Sequence, residues 1–235
     1  MNMEGDRAVS DWIQLFDGKT LAEWHGRADQ GGVTAHRWQI VGGVHLKPDN
    51  AESLIGEPGN GVMLNGDDGR TSDIHSVLEH GSCELHVEFC VAAKSNSGVY
   101  LMGQYEIQVL DSWGTPDAAL TAQSCGATYP RWNDELRANY EGAAPRTNAS
   151  TAPGTWQSFD VLFHAPRFAA SGQKLANARF ERLLHNGVVI QENVECSGPT
   201  RGAWQPEDIA RGPLRLQGDH GPVAFRNIRL RLLEA

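Results

Sequence analysis

Short stretches of apolar and polar residues alternate along the chain, marking strands whose two faces meet different surroundings. Glu84–Val91 sets Leu85, Val87, Phe89 and Val91 on one face, with Glu84, His86 and Glu88 on the other. Tyr105–Val109 does the same, with Tyr105, Ile107 and Val109 opposed to Glu106 and Gln108. Ser158–Phe163, Ala178–Leu184, Val188–Ile190, Leu214–Gln217 and Val223–Leu232 are further strand candidates. The turns between such runs are built from Gly, Asn and Pro, as in Asp17-Gly18-Lys19, His185-Asn186-Gly187 and Gly218–Pro222. Trp38–Val41 and Val44–Leu46 flank Gly42-Gly43, which reads as a hairpin. Helical periodicity is confined to a short turn near Glu207-Asp208-Ile209. The pattern predicts an all-β fold, a two-sheet antiparallel sandwich.

Two stretches escape it, Asp49–Ser76 and Ser112–Thr155, and both read as long irregular loops. Loops of that length in a compact domain are usually functional or poorly ordered. The second directly follows the Glu106 strand and is placed to wall a groove beside it. Its aromatic residues Tyr129, Trp132 and Tyr140, with Trp156 just beyond, offer flat surfaces on which a sugar ring stacks. Residues 11–233 read as one domain, and residues 1–10 as a disordered N-terminal segment.

Bulk properties narrow the function more than the fold. A net charge of -9 argues against a nucleic-acid or anionic-membrane partner. No run approaches the ~18 apolar residues of a membrane span. The first residues lack the basic-then-apolar pattern of a signal peptide, so the protein is cytoplasmic, or periplasmic or extracellular if a leader has been removed. Cys83, Cys90, Cys125 and Cys196 show neither metal nor disulfide spacing and read as reduced, buried small hydrophobes.

The strongest chemical signal is Asn96–Asp111, N-S-G-V-Y-L-M-G-Q-Y-E-I-Q-V-L-D. Glu106 and Gln108 share one face of an apolar strand. Asp111 joins them only if a β-bulge adds one residue before it. With the bulge, three hydrogen-bonding groups converge, as proton-transfer chemistry requires. Glu88 and His86 would floor the same groove if their strand's polar face is concave. Arg226 reaches a groove carboxylate or makes a structural salt bridge, the commoner outcome. His220 is a loop candidate for acid–base work. Asn96 contacts sugar or builds a turn.

Eight motifs, in order, resemble one family. They are W-I-Q-L-F-D-G-K-T-L-A-E-W (12–24), N-S-G-V-Y (96–100), Y-E-I-Q-V-L-D (105–111), G-A-T-Y (126–129), W-Q-S-F-D (156–160), H-N-G-V-V-I (185–190), L-R-L-Q-G-D-H (214–220) and V-A-F-R-N-I-R-L (223–230). Together they are similar to the 3-keto-disaccharide hydrolase domain family. The resemblance implies a concanavalin-like jelly roll, a bacterial setting with frequent export, and action on glycosides whose glucosyl ring carries a ketone at carbon 3. The E-x-Q-x-x-D spacing also resembles the E-x-D-x-x-E signature of laminarinases and lichenases, with Gln108 and Asp111 replacing two acids. Same-face strand residues two apart are separated by roughly 6.6 Å, whereas retaining glycosidases need carboxyl groups about 5–5.5 Å apart. The shorter Asp111 therefore weakens the double-displacement reading.

A ketone at carbon 3 acidifies the proton on carbon 2. A base removes it, the aglycone leaves by β-elimination, and water adds back. This assigns Glu106 as base, Gln108 as hydroxyl or oxyanion partner and Asp111 as orienting group or acid. Glu88, His86, Asn96, Tyr129, Trp132, Trp156, His220 and Arg226 are candidates for substrate binding. No cofactor is expected, and the alternative of a divalent ion held by Glu106 and Asp111 leaves metal ligands otherwise unassigned. The rivals are a conventional β-glucan hydrolase using two carboxylates and a non-catalytic carbohydrate-binding module. The expected partner is a small-molecule sugar or glycoside.

Overall fold

The computed structural model describes residues 11–26, 36–66 and 68–233, so the segment read as disordered, 1–10, lies outside the described residues. The first half of the chain supplies β1 Ile13–Gln14, β2 Trp24–Gly26, β3 Gln39–Lys47, β4 Asn50–Leu64, β5 Ile74–His80, β6 Cys83–Val91, β7 Asn96–Leu101 and β8 Tyr105–Leu110. After these come β9 Arg131–Asn133, β10 Ala138–Tyr140, β11 Gln157–His164, β12 Arg167–Phe168 and β13 Lys174–Ala176. The last four are β14 Ala178–His185, β15 Val188–Cys196, β16 Gly212–Leu216 and β17 Val223–Leu232.

Two antiparallel sheets form a jelly-roll sandwich. The larger runs β15-β14-β11-β6-β17-β4-β3, with β1 also paired to β17, and the smaller runs β2-β5-β16-β7-β8. Leu85, Val87 and Phe89 of β6 face Tyr105, Ile107 and Val109 of β8 across one buried core. Tyr105 meets Phe163 of the larger sheet with ring centroids 5.4 Å apart, and Phe89 meets Phe159 at 4.6 Å. Burying each such ring contributes roughly 1.5–3 kcal/mol. The alternation of β6 and β8 thereby fixes which sides point outward, and the two polar faces lie on opposite outer surfaces of the sandwich.

Several sequence expectations are corrected here. Gly42-Gly43 does not turn the chain: β3 runs through it with a register shift between Val41 and Gly43, and the reversal into β4 follows Lys47. A Cβ on Gly42 would stand 2.8 Å from the Pro58 carbonyl oxygen, so glycine here permits close approach of the paired backbone. The stretch 49–76 is mostly strand, because the Gly- and Pro-rich β4 pairs with β3 on either side of a bulge at residues 58–61, and with β17 at Met63 and Leu64, although its side chains do not alternate. The helical turn expected near Glu207 is absent, and Asp117–Ala119 forms the one 3₁₀ turn among the described residues. All four cysteines are buried and free. No helix among the described residues is long and apolar enough to cross a membrane.

Candidate active site

The outer face of the smaller sheet is roofed by chain. Ladder pairs Asn96↔Leu110, Gly98↔Gln108 and Tyr100↔Glu106 place Asn96, Gly98 and Tyr100 beside Glu106 and Gln108 on this face. Arg215 pairs with Tyr100 and extends the row to β16. Segment 126–129 closes the free edge of β8, with the amides of Gln108 and Tyr129 donating to the Ala127 and Glu106 carbonyls at 2.9 and 3.0 Å. Segment 200–207 crosses above β7, tied down by buried Gln104. The Gln104 side-chain amide donates to the Gln205 and Glu207 carbonyls at 3.2 and 2.7 Å and accepts from the Gln205 amide at 3.0 Å. The Thr200 hydroxyl accepts from the Glu106 amide at 3.0 Å.

Between these walls lies a cavity of about 290 Å³, lined by Asn96, Tyr100, Glu106, Gln108, Tyr129, Arg201, Gly202, Gln217 and His220. Among the described residues Glu106 is the only carboxylate in that lining. Its side chain is 3% exposed, and burial raises the carboxyl from an ordinary 4.5 to about 8. The Tyr100 hydroxyl, which hydrogen-bonds it, and the Arg215 charge pull the other way, while Asp73 reinforces the rise. Gly98 is what allows the packing, since a Cβ there would stand 2.4 Å from a Glu106 carboxylate oxygen and 2.8 Å from the Tyr100 ring. Burial also moves the Tyr100 hydroxyl well above its usual value.

Arg215 lies behind these groups, 1% exposed, with its guanidinium carbon 3.6 Å above the Tyr100 ring. Its Nη2 donates to the Gly202 carbonyl at 2.7 Å, and its Nε stands 3.7 Å from Asp73 Oδ2. Asp73 in turn accepts from the Gly218 amide at 3.0 Å. A buried, delocalised cation thus supports a buried carboxyl through an intervening phenol. On the cavity floor the Gln108 amide donates to Asn96 Oδ1 at 3.1 Å. His220 is held by a short contact to the Asp219 carboxylate. Arg201 stacks on Trp132 at 4.1 Å.

The structure brings together Glu106, Gln108, Asn96, Tyr129 and His220, with Trp132 one contact away through Arg201. The others separate. The β7–β8 ladder runs without a register shift to Leu110, so the bulge expected before Asp111 does not form. Asp111 instead accepts from the Lys94 amide at 2.9 Å and the Trp113 amide at 3.3 Å, outside the cavity lining. Glu88 and His86 belong to β6 of the other sheet and face away on the far side of the sandwich. There Arg226 Nε bonds Glu88 Oε2 at 2.6 Å and stacks on Trp156 at 4.0 Å, the structural salt bridge anticipated for it. His86 Nδ1 meets Asp160 at 2.6 Å on that same surface. Sequence reasoning missed Tyr100, Arg201, Arg215 and Gln217. Tyr100 follows Asn96 at same-face parity, and Arg215 and Gln217 alternate with Leu214 and Leu216, so the strand period held a signal for all but Arg201.

Comparison with known proteins agrees with this architecture. The 3-keto-alpha-glucoside-1,2-lyase-like domain family matches residues 11–231. A candidate glycosyl hydrolase from Parabacteroides distasonis ATCC 8503 is 27% identical, superposes with a TM-score of 0.68, and is matched over 97% of this chain and 86% of its own. A second candidate glycosyl hydrolase from the same organism shows the same fold at 18% identity and a TM-score of 0.56, over 95% of this chain and 94% of its own. No curated protein matches.

Proposed function

Because this chain belongs to the 3-keto-alpha-glucoside-1,2-lyase-like family, a glycosyl hydrolase-like, carbohydrate-active group, we propose that it cleaves glycosides whose glucosyl ring bears a ketone at carbon 3. The observation that carries this reading is that the described residues lining the cavity include a single carboxylate, Glu106. Double displacement at an unoxidised sugar needs two carboxyl groups about 5–5.5 Å apart, whereas elimination needs one positioned base.

In the first step the ionised Glu106 takes the proton from carbon 2, and the electron pair of that bond becomes an enolate spread to the carbon 3 oxygen. Arg201 and the His220 ring are the cavity's donors for that oxygen. The enolate then reforms its carbonyl as the carbon 1–oxygen bond breaks. Glu106 passes its proton toward the departing oxygen through the hydrogen bond it shares with Tyr100. The unsaturated ketone left behind adds water across carbons 1 and 2, giving the free 3-keto sugar. Asn96, Gln108 and Gln217 supply amides for sugar hydroxyls. A carboxyl raised to about 8 is a stronger base once ionised than an ordinary glutamate.

The test is incubation with methyl 3-keto-glucoside and 3-keto-trehalose beside the unoxidised sugars, for wild type and Glu106→Gln. Turnover of the oxidised substrates alone, lost in the variant, supports the reading. Turnover of plain glucans, or full activity in the variant, refutes it.

A further inference from the structure

A second cavity, about 340 Å³, opens on the same face of the same sheet. Its walls include His25, His75, Val77, Trp204, Ile209 and Arg211. The ladder pairs His25↔His75, His75↔Arg215, Arg215↔Tyr100 and Tyr100↔Glu106 put it in one row with the catalytic cavity. His75 is three strand spacings from Glu106, roughly 14 Å. Gly202 crosses the middle of that row, bonded to Arg215, and a Cβ on it would come 3.3 Å from the Tyr100 hydroxyl. The turn beginning at Thr200 therefore has the Glu106 cavity on one side and Trp204 with the second cavity on the other.

Size makes the second cavity relevant. At about 290 Å³ the Glu106 cavity sits at the small end of ligand sites, so it suits one sugar ring and leaves the aglycone to find room elsewhere. Glu106 and Tyr100 occupy the end beside Gly202, while Asn96, His220 and Gln217 occupy the other. A ring whose carbons 1 and 2 face Glu106 directs its leaving group over that turn. Beyond it, the Trp204 and His75 rings meet edge to face with centroids 4.7 Å apart, and His75 meets His25 at 5.9 Å. His75 Nδ1 is buried without a hydrogen-bond partner, and Arg211 adds a cationic donor. Flat rings beside polar edge groups recognise a ligand of the same kind, a ring with hydroxyls at its rim.

We infer that the Trp204–His75 cavity receives a ring-bearing leaving group, sugar or phenolic, and so sets preference among aglycones. The inference rests on the functional reading above.

The experiment compares kcat/KM for methyl 3-keto-glucoside, a 3-keto-disaccharide and phenyl 3-keto-glucoside, in wild type, Trp204→Ala, Val77→Trp and Trp132→Ala. Trp204→Ala should lower the ratio of a ring-bearing substrate to the methyl glycoside roughly tenfold or more. Whichever ring substrate loses more identifies the ring. Val77 is 49% exposed on the same wall, so Val77→Trp narrows the mouth without touching the core and should lower the same ratio. If Trp204→Ala does not fold, that variant decides. An unchanged ratio in both variants overturns the inference. So does a fall in the ratio confined to Trp132→Ala, which would send the aglycone to the Arg201 flank. Absence of wild-type turnover on all three substrates overturns the functional reading itself, an outcome no variant is needed to see.

Discussion

Glu106→Gln separates what the carboxyl does for chemistry from what it does to the fold. In the folded protein the group is 3% exposed and raised from 4.5 to about 8, so the native state holds its proton more tightly than the unfolded chain does. The sign follows: the neutral carboxyl's contribution is complete below 4.5 and is lost as pH climbs through about 8. At roughly 1.36 kcal/mol per pH unit the ceiling is ~5 kcal/mol, and we expect about 3 kcal/mol once water in the open cavity is allowed to screen the charge. Urea unfolding of wild type and Glu106→Gln at pH 5, 7 and 9 reads this directly. At pH 5 both side chains are neutral, and the two should agree within about 1 kcal/mol, the scale of one altered hydrogen bond. By pH 9 the variant should be the more stable, although it turns over nothing. The same ionisation should make wild-type kcat/KM rise between pH 6 and 8. Parallel stability curves would refute the burial argument, and a rate that falls over that range would make Glu106 an acid rather than a base.

Four further outcomes are expected. Arg215→Met removes the charge that lowers the Glu106 carboxyl, so the rising limb of kcat/KM should shift above about 8, with stability reduced by about 3–5 kcal/mol because buried Asp73 loses the cation beside it. Gly98→Ala pushes a methyl into Glu106 and Tyr100; kcat/KM should fall about 10²-fold while circular dichroism stays native. Gln104→Leu leaves the 200–207 segment without its amide partners, costing about 1–3 kcal/mol in urea melts and speeding proteolysis within that segment. His80 and His185 are buried and neutral, each lowered to about 4 chiefly by burial. Their contribution is complete above 6.5 and lost as pH falls toward 4, so the thermal midpoint should drop across that window and less so in His185→Gln.

The sandwich was legible because its cause is local. Leu85, Val87, Phe89, Tyr105, Ile107 and Val109 alternate strictly, and burying both rows against each other leaves one arrangement of the two sheets. The 50–64 strand was illegible for the complementary reason. Gly56, Pro58, Gly59 and Gly61 look like turn residues, and residues 58–61 do bulge out opposite Gly42, yet pairing to β3 before and after the bulge keeps the segment one strand. Asp111 failed on register: moving it onto the Glu106 face required an extra residue, and the ladder to Leu110 contains none.

The harder failure concerns two strands that read alike. Glu84, His86 and Glu88 on β6, and Glu106 and Gln108 on β8, both alternate with core residues, and alternation alone cannot say which outer face becomes a site. Coverage decides it. The β6 face carries ion pairs from neighbouring strands, Arg226 to Glu88 and Arg231 to Glu84, so its charges neutralise one another at the surface. The β8 face instead is walled at its edge by segment 126–129 and crossed by segment 200–207, and among the described residues none makes a salt bridge to Glu106. The long insertion after β8 was visible in the sequence as Ser112–Thr155. The long loop directly after the polar β8 face was thus the readable sign of one wall of the cavity, and the 200–207 crossing was not. Arg215 was missed because its surroundings come from separate parts of the chain: Tyr100 on the neighbouring strand and the Gly202 carbonyl of the 200–207 segment together turn an ordinary strand arginine into the cation behind the base.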